Sequence, residues 1–431
     1  MRLTIPDIRP QLRQLAVVRR PVIGWPLRFS VTKIQAMLLL LMPLTGFLGS
    51  SVLPTWRIAN IFYVGLGLAF LKIRPGQSIA RNLLWFQLLF LAAVFMQYLG
   101  MGTSYAWSFY DISWIISVVL LFGMSQLFFL QIQNGVDRIM QLFYYVAAAN
   151  VVYQLYQQVM VQLHLYGLAT ILNEQLVTYG NTFFKIIGGI LGSPGFMAEA
   201  GHLALFLAPL IGFQLVADYY GILALNRKRV VVMGVSLALT ISSGAFLQFI
   251  LLAILLLLII RRRLNKSNLA VIAGLLLGII LIFSLFESYR EAILYRFDSV
   301  FEQDSARFMG AKVFWQAFLE HLWLGLGPKS ARFIGADPNF FFTTILADHG
   351  LVAGIPMFLL YFCPVFLAFR RSNRKLFIVP YIAMTVHLFL AYGTFTWAFI
   401  WMHICLTIWG LAYAKPMNLV QTSAQVDGAL A

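Results

Sequence analysis

The sequence predicts an all-α protein that crosses a membrane about twelve times and holds one large helical loop on the outer face. Three observations predict it. Hydrophobic residues occupy 61% of 431 positions and charged residues only 11%, a balance that no water-soluble domain can bury. The apolar residues fall into runs of about 20, the length that crosses a bilayer. The lysines and arginines cluster in short loops at alternate ends of those runs, as cytoplasmic loops do.

Residues 1–33 come first, basic and broken by four prolines, with no cleavable apolar core; they read as a cytoplasmic N-terminal segment. Nine spans follow within 34–286, centred on 34–53, 57–72, 82–101, 113–132, 139–163, 200–217, 230–247, 248–260 and 267–286. The seventh and eighth form one long run, divided near Ser242-Ser243-Gly244. Residues 287–350 form the outer loop, and 351–369, 376–394 and 397–414 give three more spans within 351–415. The polar stretch 416–431 is a cytoplasmic tail. Cys363 and Cys405 both lie inside apolar runs, so neither a disulfide framework nor a thiolate metal site is expected.

Charge sets the orientation. With the N-terminus in the cytoplasm, 23 of the 31 basic residues lie inside, among them Arg227-Lys228-Arg229, Arg261-Arg262-Arg263 and the group Arg370, Arg371, Arg374 and Lys375. An even number of spans, with both termini cytoplasmic, keeps these clusters together. The net charge of +16 is divided among short loops with no domain to present it. It therefore speaks for anionic lipid and against nucleic acid.

The outer loop breaks that bias. It holds Arg290, Arg296, Arg307, Lys312, Lys329 and Arg332, together with eight of the fifteen acids. Arginines retained on the outer face point to an anionic ligand; the alternative is a solvated loop with ordinary ion pairs. In "DSARFMGAKVFWQAFLEHLWLGLGP", Asp304 or Ser305 caps a helix that runs to about Leu322 and stops at Gly325-Leu326-Gly327-Pro328. Phe308, Met309, Val313, Trp315, Ala317 and Leu322 form a stripe expected to rest on the membrane surface. Asp337-Pro338 reads as N-cap and first residue of a second helix that ends at Gly350.

A second polar interruption, "GGILGSPGFMAEAGH", precedes the sixth span. Residues 186–195 are too short to cross and are expected to dip in and return, which is tolerated only where backbone is buried or lines a cavity. Ser193 and Pro194 read as cap and start of the following helix. Glu199 then lies about one turn inside. A carboxylate costs about 2.5–3.5 kcal/mol at the bilayer centre and less near the interface, so it is either functional or a wet helix-end residue stabilised by the dipole. His202, at i, i+3 from Glu199, either pairs with it or packs. His387 and His403, inside two consecutive spans, are expected to make interhelical hydrogen bonds. His321 ends the first loop helix, and Trp56 is an interface anchor. The histidines are scattered and no metal site is expected.

The order of these features resembles the bacterial O-antigen polymerase and O-antigen ligase superfamily. The likeness rests on Gly195, Phe196 and Glu199 before a span, Thr240, Ser242 and Gly244 inside another, then Arg296, Asp304, Ser305 and Arg307. Trp315, the "LGLGP" run, Asn339, Asp348 and Gly350 complete it. These cover roughly residues 180–355. The resemblance implies a GT-C-type, metal-independent glycosyltransferase of the bacterial inner membrane with no cofactor. Its substrates would be a polyprenyl-diphosphate-linked oligosaccharide donor and acceptor on the outer leaflet. Membrane lipids, and a chain-length regulator as a further candidate, would be the other partners.

That chemistry assigns roles. Negative charge grows on a diphosphate leaving group, and guanidinium groups meet phosphate oxygens bidentately. Arg296 and Arg307 are the first candidates, with Arg290, Arg332 and Lys185 behind them. The attacking sugar hydroxyl needs a proton acceptor, for which Glu199, Asp337, Asp348 and His349 are the candidates. Ser305, Asn339 and His202 are supporting residues. Where the ligases open the second loop helix with His-Asn, this chain has Asp337-Pro338-Asn339, and it has Glu199 where they tend to carry Asn. Both differences favour a polymerase. Ser243 stands where the family often has Arg, and Lys185 is the nearest cation ahead of Gly195. The rivals are a ligase that moves glycan to a lipid or protein acceptor and a lipid-linked saccharide transporter or flippase. The last has less support, because no second copy of the 186–199 break exists to form paired halves.

Overall fold

The computed structural model describes residues 78–101, 136–169, 171, 186–187, 190–197, 200–240, 243–260, 290–291, 294, 306–327, 330, 334–335, 340–370, 372–391 and 398–412. All of them belong to one compact unit, Ala36–Ala431. The spans expected at 34–53, 57–72, 113–132 and 267–286 lie outside the described residues.

The chain is mostly helical. In order come α1 (Ser78–Met101), α2 (Val136–Gln162), a single turn α3 (Tyr166–Ala169), α4 (Ala200–Tyr219), α5 (Arg227–Leu239) and α6 (Ser243–Ile260). They are followed by α7 (Ala306–Glu320), α8 (Phe341–Arg370), a 3-10 turn (Ser372–Phe377), α9 (Ile378–Ala391) and α10 (Ala398–Ala412). Among the described residues the only strand pairing is a two-residue antiparallel ladder of β1 (Ile186–Ile187) and β2 (Ile190–Leu191), with Ile186 opposite Leu191. The two strands therefore run in opposite directions.

Two described helices are long and apolar enough to cross a membrane, α4 and α8. α4 is the centre of the fold. It is apolar on every side and buried from Gly201 to Ala217, the pattern of a helix surrounded by others. At Gly212 the neighbours come close: a Cβ there would lie 2.8 Å from Leu252 of α6 and 2.9 Å from Pro380 of α9. Phe206 meets Phe143 of α2 edge-on at 5.3 Å, and Phe213 packs against Phe377 and Trp409. Pro209 lies within α4, as proline does in membrane-embedded helices, where surrounding groups can satisfy the backbone carbonyl it frees.

The long run after Arg227 is two helices. α5, of 13 residues, rises about 20 Å, less than the roughly 30 Å of hydrocarbon. It stops at Thr240, whose hydroxyl donates back to the Leu237 carbonyl at 2.6 Å, and α6 starts afresh at Ser243. α5 ends at Leu239 and α6 begins at Ser243, which agrees with the division expected near Ser242-Ser243-Gly244. α8 is also interrupted, at Gly350 (φ 57, ψ −160). Its first part, to His349, belongs with the loop, and residues 351–370 form the apolar part.

Two expectations need correction. Pro194 does not start the sixth span: Gly195 has φ +60, which no right-handed helix contains, and the helix starts at Ala200. The stripe on α7 also divides. Ala317 turns inward with Phe314 and Phe318 against Leu346 and Ala347 of α8, whereas Phe308, Met309, Trp315, Leu319 and Trp323 stay exposed.

Two groups of polar contacts lie toward helix ends, while Tyr361, Tyr381 and Thr385 bond to one another along α8 and α9. In the first group, the Arg229 guanidinium on α5 donates to Gln141 at 3.0 and 2.7 Å and to Asp137 at 2.5 Å, both on α2. Tyr220, near the end of α4, stacks on Phe377 and accepts from the Leu376 N–H at 3.4 Å. The second group involves the C-terminal part of α2, the loop before α4 and the hinge of α8.

Candidate functional site

One face of α2 builds the first part of the site. Asn150, Gln154 and Gln157 stand at i, i+4 and i+7, so they share a face, and all three are 0% exposed. A buried carboxamide costs several kcal/mol unless each of its atoms finds a partner, and these do. Gln157 Oε1 accepts from the Ser193 hydroxyl and from the Gly195 N–H at 3.2 Å, and its Nε2 donates to the Ala169 carbonyl at 3.3 Å. Gln154 Nε2 donates to the carbonyls of Ser193 at 3.0 Å and Ser236 at 3.1 Å, and its Oε1 accepts from the Ser236 hydroxyl at 2.8 Å. Asn150 Oδ1 accepts from the Phe196 N–H at 3.0 Å, and its Nδ2 donates to Val146 at 3.0 Å.

The loop at 193–197 is thus fixed to α2 through Ser193, Gly195 and Phe196. Tyr153 stacks on Phe196 at 4.7 Å. The Ser193 N–H donates to the Leu239 carbonyl at 3.2 Å, which satisfies one of the orphan carbonyls where α5 breaks off. Gly195 is required, because Asn150 Oδ1 lies where a Cβ would be. Ser193 is drawn to Gln157 and away from the helix-capping role expected of it.

The second part is a hinge between the outer loop and α8. Leu326 N–H donates to Ala347 at 2.7 Å, Gly327 N–H to Asp348 at 2.9 Å, Leu351 N–H to Leu322 at 2.9 Å and Val352 N–H to Trp323 at 3.0 Å. Gly325 and Gly350 meet backbone to backbone, a Cβ on Gly325 falling 2.5 Å from Gly350 N. Gln97 of α1 locks the junction: its Nε2 donates to the Leu324 carbonyl and to the Asp348 carbonyl at 2.6 Å. Its Oε1 is then an acceptor, so His349 Nδ1, 3.3 Å away, carries the proton between them.

The sequence-predicted residues divide accordingly. Asp348 is 6% exposed, and its Oδ1 accepts from the Ser330 N–H at 2.9 Å. His349 is fully buried, with Phe90 of α1 edge-on at 5.8 Å. His202 is buried on α4, Arg290 is helical and half-buried, and Arg307 is the second residue of α7. Glu199, Asp337, Arg296, Arg332, Lys185, Ser305 and Asn339 lie outside the described residues, as does the Arg307 side chain. His387 Nδ1 lies 2.8 Å from Gln248 Oε1 on α6, and the His403 ring lies 6.2 Å from Phe206. Among the described residues no three His, Cys, Asp or Glu gather as metal ligands would.

Sequence reasoning overlooked Gln97, Asn150, Gln154 and Gln157. The signal was present: amides repeated at helical spacing in a span of otherwise apolar and aromatic residues. Such groups must find partners in a lipid-embedded bundle.

Compared with known proteins, residues 230–350 match the family model described as O-antigen ligase. The match supports the O-antigen polymerase and ligase superfamily. It takes in Thr240, Ser242, Gly244, Arg296, Arg307 and the "LGLGP" run, and it ends at the Gly350 hinge. No curated protein and no solved structure matches the chain.

Proposed function

We propose, from the family match over 230–350 and the residues it contains, that this chain is a polysaccharide polymerase. It would transfer a glycan from a polyprenyl-diphosphate carrier to the non-reducing end of another carrier-linked repeat unit, on the outer face of the bacterial inner membrane. The match is the observation on which this reading rests. In the reaction a hydroxyl oxygen of the acceptor sugar attacks the anomeric carbon of the donor. The bond from that carbon to the diphosphate oxygen breaks, and the lipid diphosphate leaves with the electron pair. The hydroxyl proton passes to a base.

Arg296 and Arg307 are the groups assigned to the diphosphate, with Arg290, Arg332 and Lys185 in reserve. Guanidinium contacts in a dry site stabilise the charge that grows on the leaving group. Glu199 is the preferred base, Asp337 the alternative. Asp348 and His349 are assigned to the hinge, because the one accepts from Ser330 and the other faces Gln97. The basic clusters favour alternating spans, with the 193–197 loop and the α8 hinge outside and Arg229 inside.

Substituting Arg296 or Arg307 by Ala is expected to abolish polymer while the protein still inserts. Normal chain length from both variants would contradict the assignment. A ligase is the second reading, favoured by the description of the matching family. Against it stand Glu199 and the absence of a His beside Asn339.

A further inference from the structure

α8 folds back at Gly350. The Phe341 ring lies 4.8 Å from that of Tyr361 and 5.3 Å from Phe389 of α9, whereas a straight helix would hold Phe341 and Tyr361 about 30 Å apart. Phe342 stacks on Phe358 at 5.1 Å, and Leu346 lies against Gly354. Residues 341–349 are therefore a half-helix that runs antiparallel to residues 351–370. The latter rise about 30 Å, the thickness of the hydrocarbon. Tyr361 stands about 16 Å from the hinge, so Phe341 reaches the middle of the span.

α7 runs beside this half-helix in the same direction. Near its start Phe308 meets Phe340 at 5.7 Å; just past its end the Leu322 and Trp323 carbonyls accept from Leu351 and Val352 at the hinge. Between these points Phe314, Ala317 and Phe318 pack with Leu346, Leu351 and Phe358. A helix held in this way slopes from the hinge towards the middle of the span and does not lie flat across its end. Trp315, Leu319 and Trp323, four residues apart, share its outward side and are 41, 56 and 66% exposed, and Phe342 on the half-helix is 45% exposed. Lys312 interrupts this row, and Gln316 and Glu320 follow one edge of it; the long stem of a lysine carries its ammonium out of an apolar surface.

We infer that α7 and residues 341–349 form a re-entrant pair sunk into the leaflet on the hinge side, with Trp315, Leu319 and Phe342 against lipid acyl chains and Trp323 at the headgroups. The occupant follows from depth: α8 is long and apolar enough to cross a membrane, so exposed apolar side chains beside it meet what surrounds it. Helical backbone satisfies its own polar groups at that depth, and the Thr343 hydroxyl turns back to the Phe340 carbonyl at 3.3 Å. The helix expected from sequence to rest on the membrane surface instead descends into it. The inference rests on α8 as a span and is independent of the transfer reaction.

The test uses the full chain in lipid vesicles, with Cys363 and Cys405 replaced by Ala and a nitroxide carried on one introduced cysteine at a time. Collision with oxygen, which concentrates in hydrocarbon, is compared with collision with a water-soluble nickel complex. Leu319→Cys, Trp315→Cys and Phe342→Cys are expected to give an oxygen-to-nickel ratio several-fold above that of Arg227→Cys and close to that of Phe366→Cys, on the exposed side of α8. The ratio is expected to rise from Trp323→Cys through Leu319→Cys to Trp315→Cys. A single value along α7 would leave the helix flat on the surface, and ratios equal to that of Arg227→Cys would leave the pair in water; either overturns the inference. Low collision with both reagents would put a second copy of the chain or another protein on this face, and overturns it too. Should Trp315→Cys not insert, Leu319→Cys and Phe342→Cys decide by the same ratio.

Discussion

Gly350 joins the outer loop to α8 with φ 57 and ψ −160, a region that is essentially closed to residues with a side chain. Its Cα hydrogen faces the Trp323 carbonyl. Gly350→Ala is therefore expected to cost about 3 kcal/mol, seen as a fall in Tm of the detergent-solubilised protein; an unchanged Tm would remove the hinge from the account. Next to it, Asp348 separates two roles. As an acceptor for the Ser330 N–H it is replaceable by Asn, which keeps the oxygen. As a general base it is not. Asp348→Asn is expected to keep transfer within about threefold, whereas loss of a base costs about 10²–10⁴-fold. Steady-state rates on purified protein distinguish the two. Asp348 and His349 drew notice in the sequence because they are ionisable in apolar company. Their use in the hinge was not legible, since Gln97 and Ser330, which fix them, are distant in sequence.

Helices were legible where hydropathy alone defines them. The expected spans at 82–101, 139–163, 200–217, 376–394 and 397–414 coincide closely with α1, α2, α4, α9 and α10. Breaks marked by small residues were legible as well: Ser242-Ser243-Gly244 divides α5 from α6, and Gly350 divides α8. What failed was local chemistry whose outcome depends on a partner. Ser193-Pro194 has the composition of a helix start, but Gln157 captures the serine and Gly195 turns the chain left-handed. The α7 stripe loses Ala317 for a related reason, because α8 takes it with Phe314 and Phe318 as contacts and leaves Phe308, Met309 and Trp315 exposed. At this scale the tie between α2 and α5 is testable. Arg229→Ala removes the guanidinium bonds to Gln141 and Asp137. Hydrogen bonds to charged groups contribute about 1.5–3 kcal/mol, and the exposed Asp137 carboxylate adds little. A loss of about 2 kcal/mol in denaturant unfolding is expected, with transfer per folded molecule retained; no loss would place this contact among the neutral ones.

For the whole molecule, composition gave the helical, apolar class before any contact was known, whereas the orientation is an expectation that rests on the basic clusters alone. Orientation has a direct check in intact cells. A cysteine in place of the exposed His321 is expected to react with a membrane-impermeant maleimide from outside, and one in place of the exposed Arg227 only after permeabilisation; the reverse pattern would put the arginine-rich loop in the cytosol. The central claim is tested most directly by incubating the purified chain, in lipid vesicles, with polyprenyl-diphosphate-linked repeat units and no other acceptor. The expected result is a ladder of lipid-linked products that grow by one repeat at a time, absent from Arg296→Ala and Arg307→Ala. Saccharide that crosses the vesicle membrane without any new glycosidic bond, or transfer that appears only when a different acceptor is added, would contradict it.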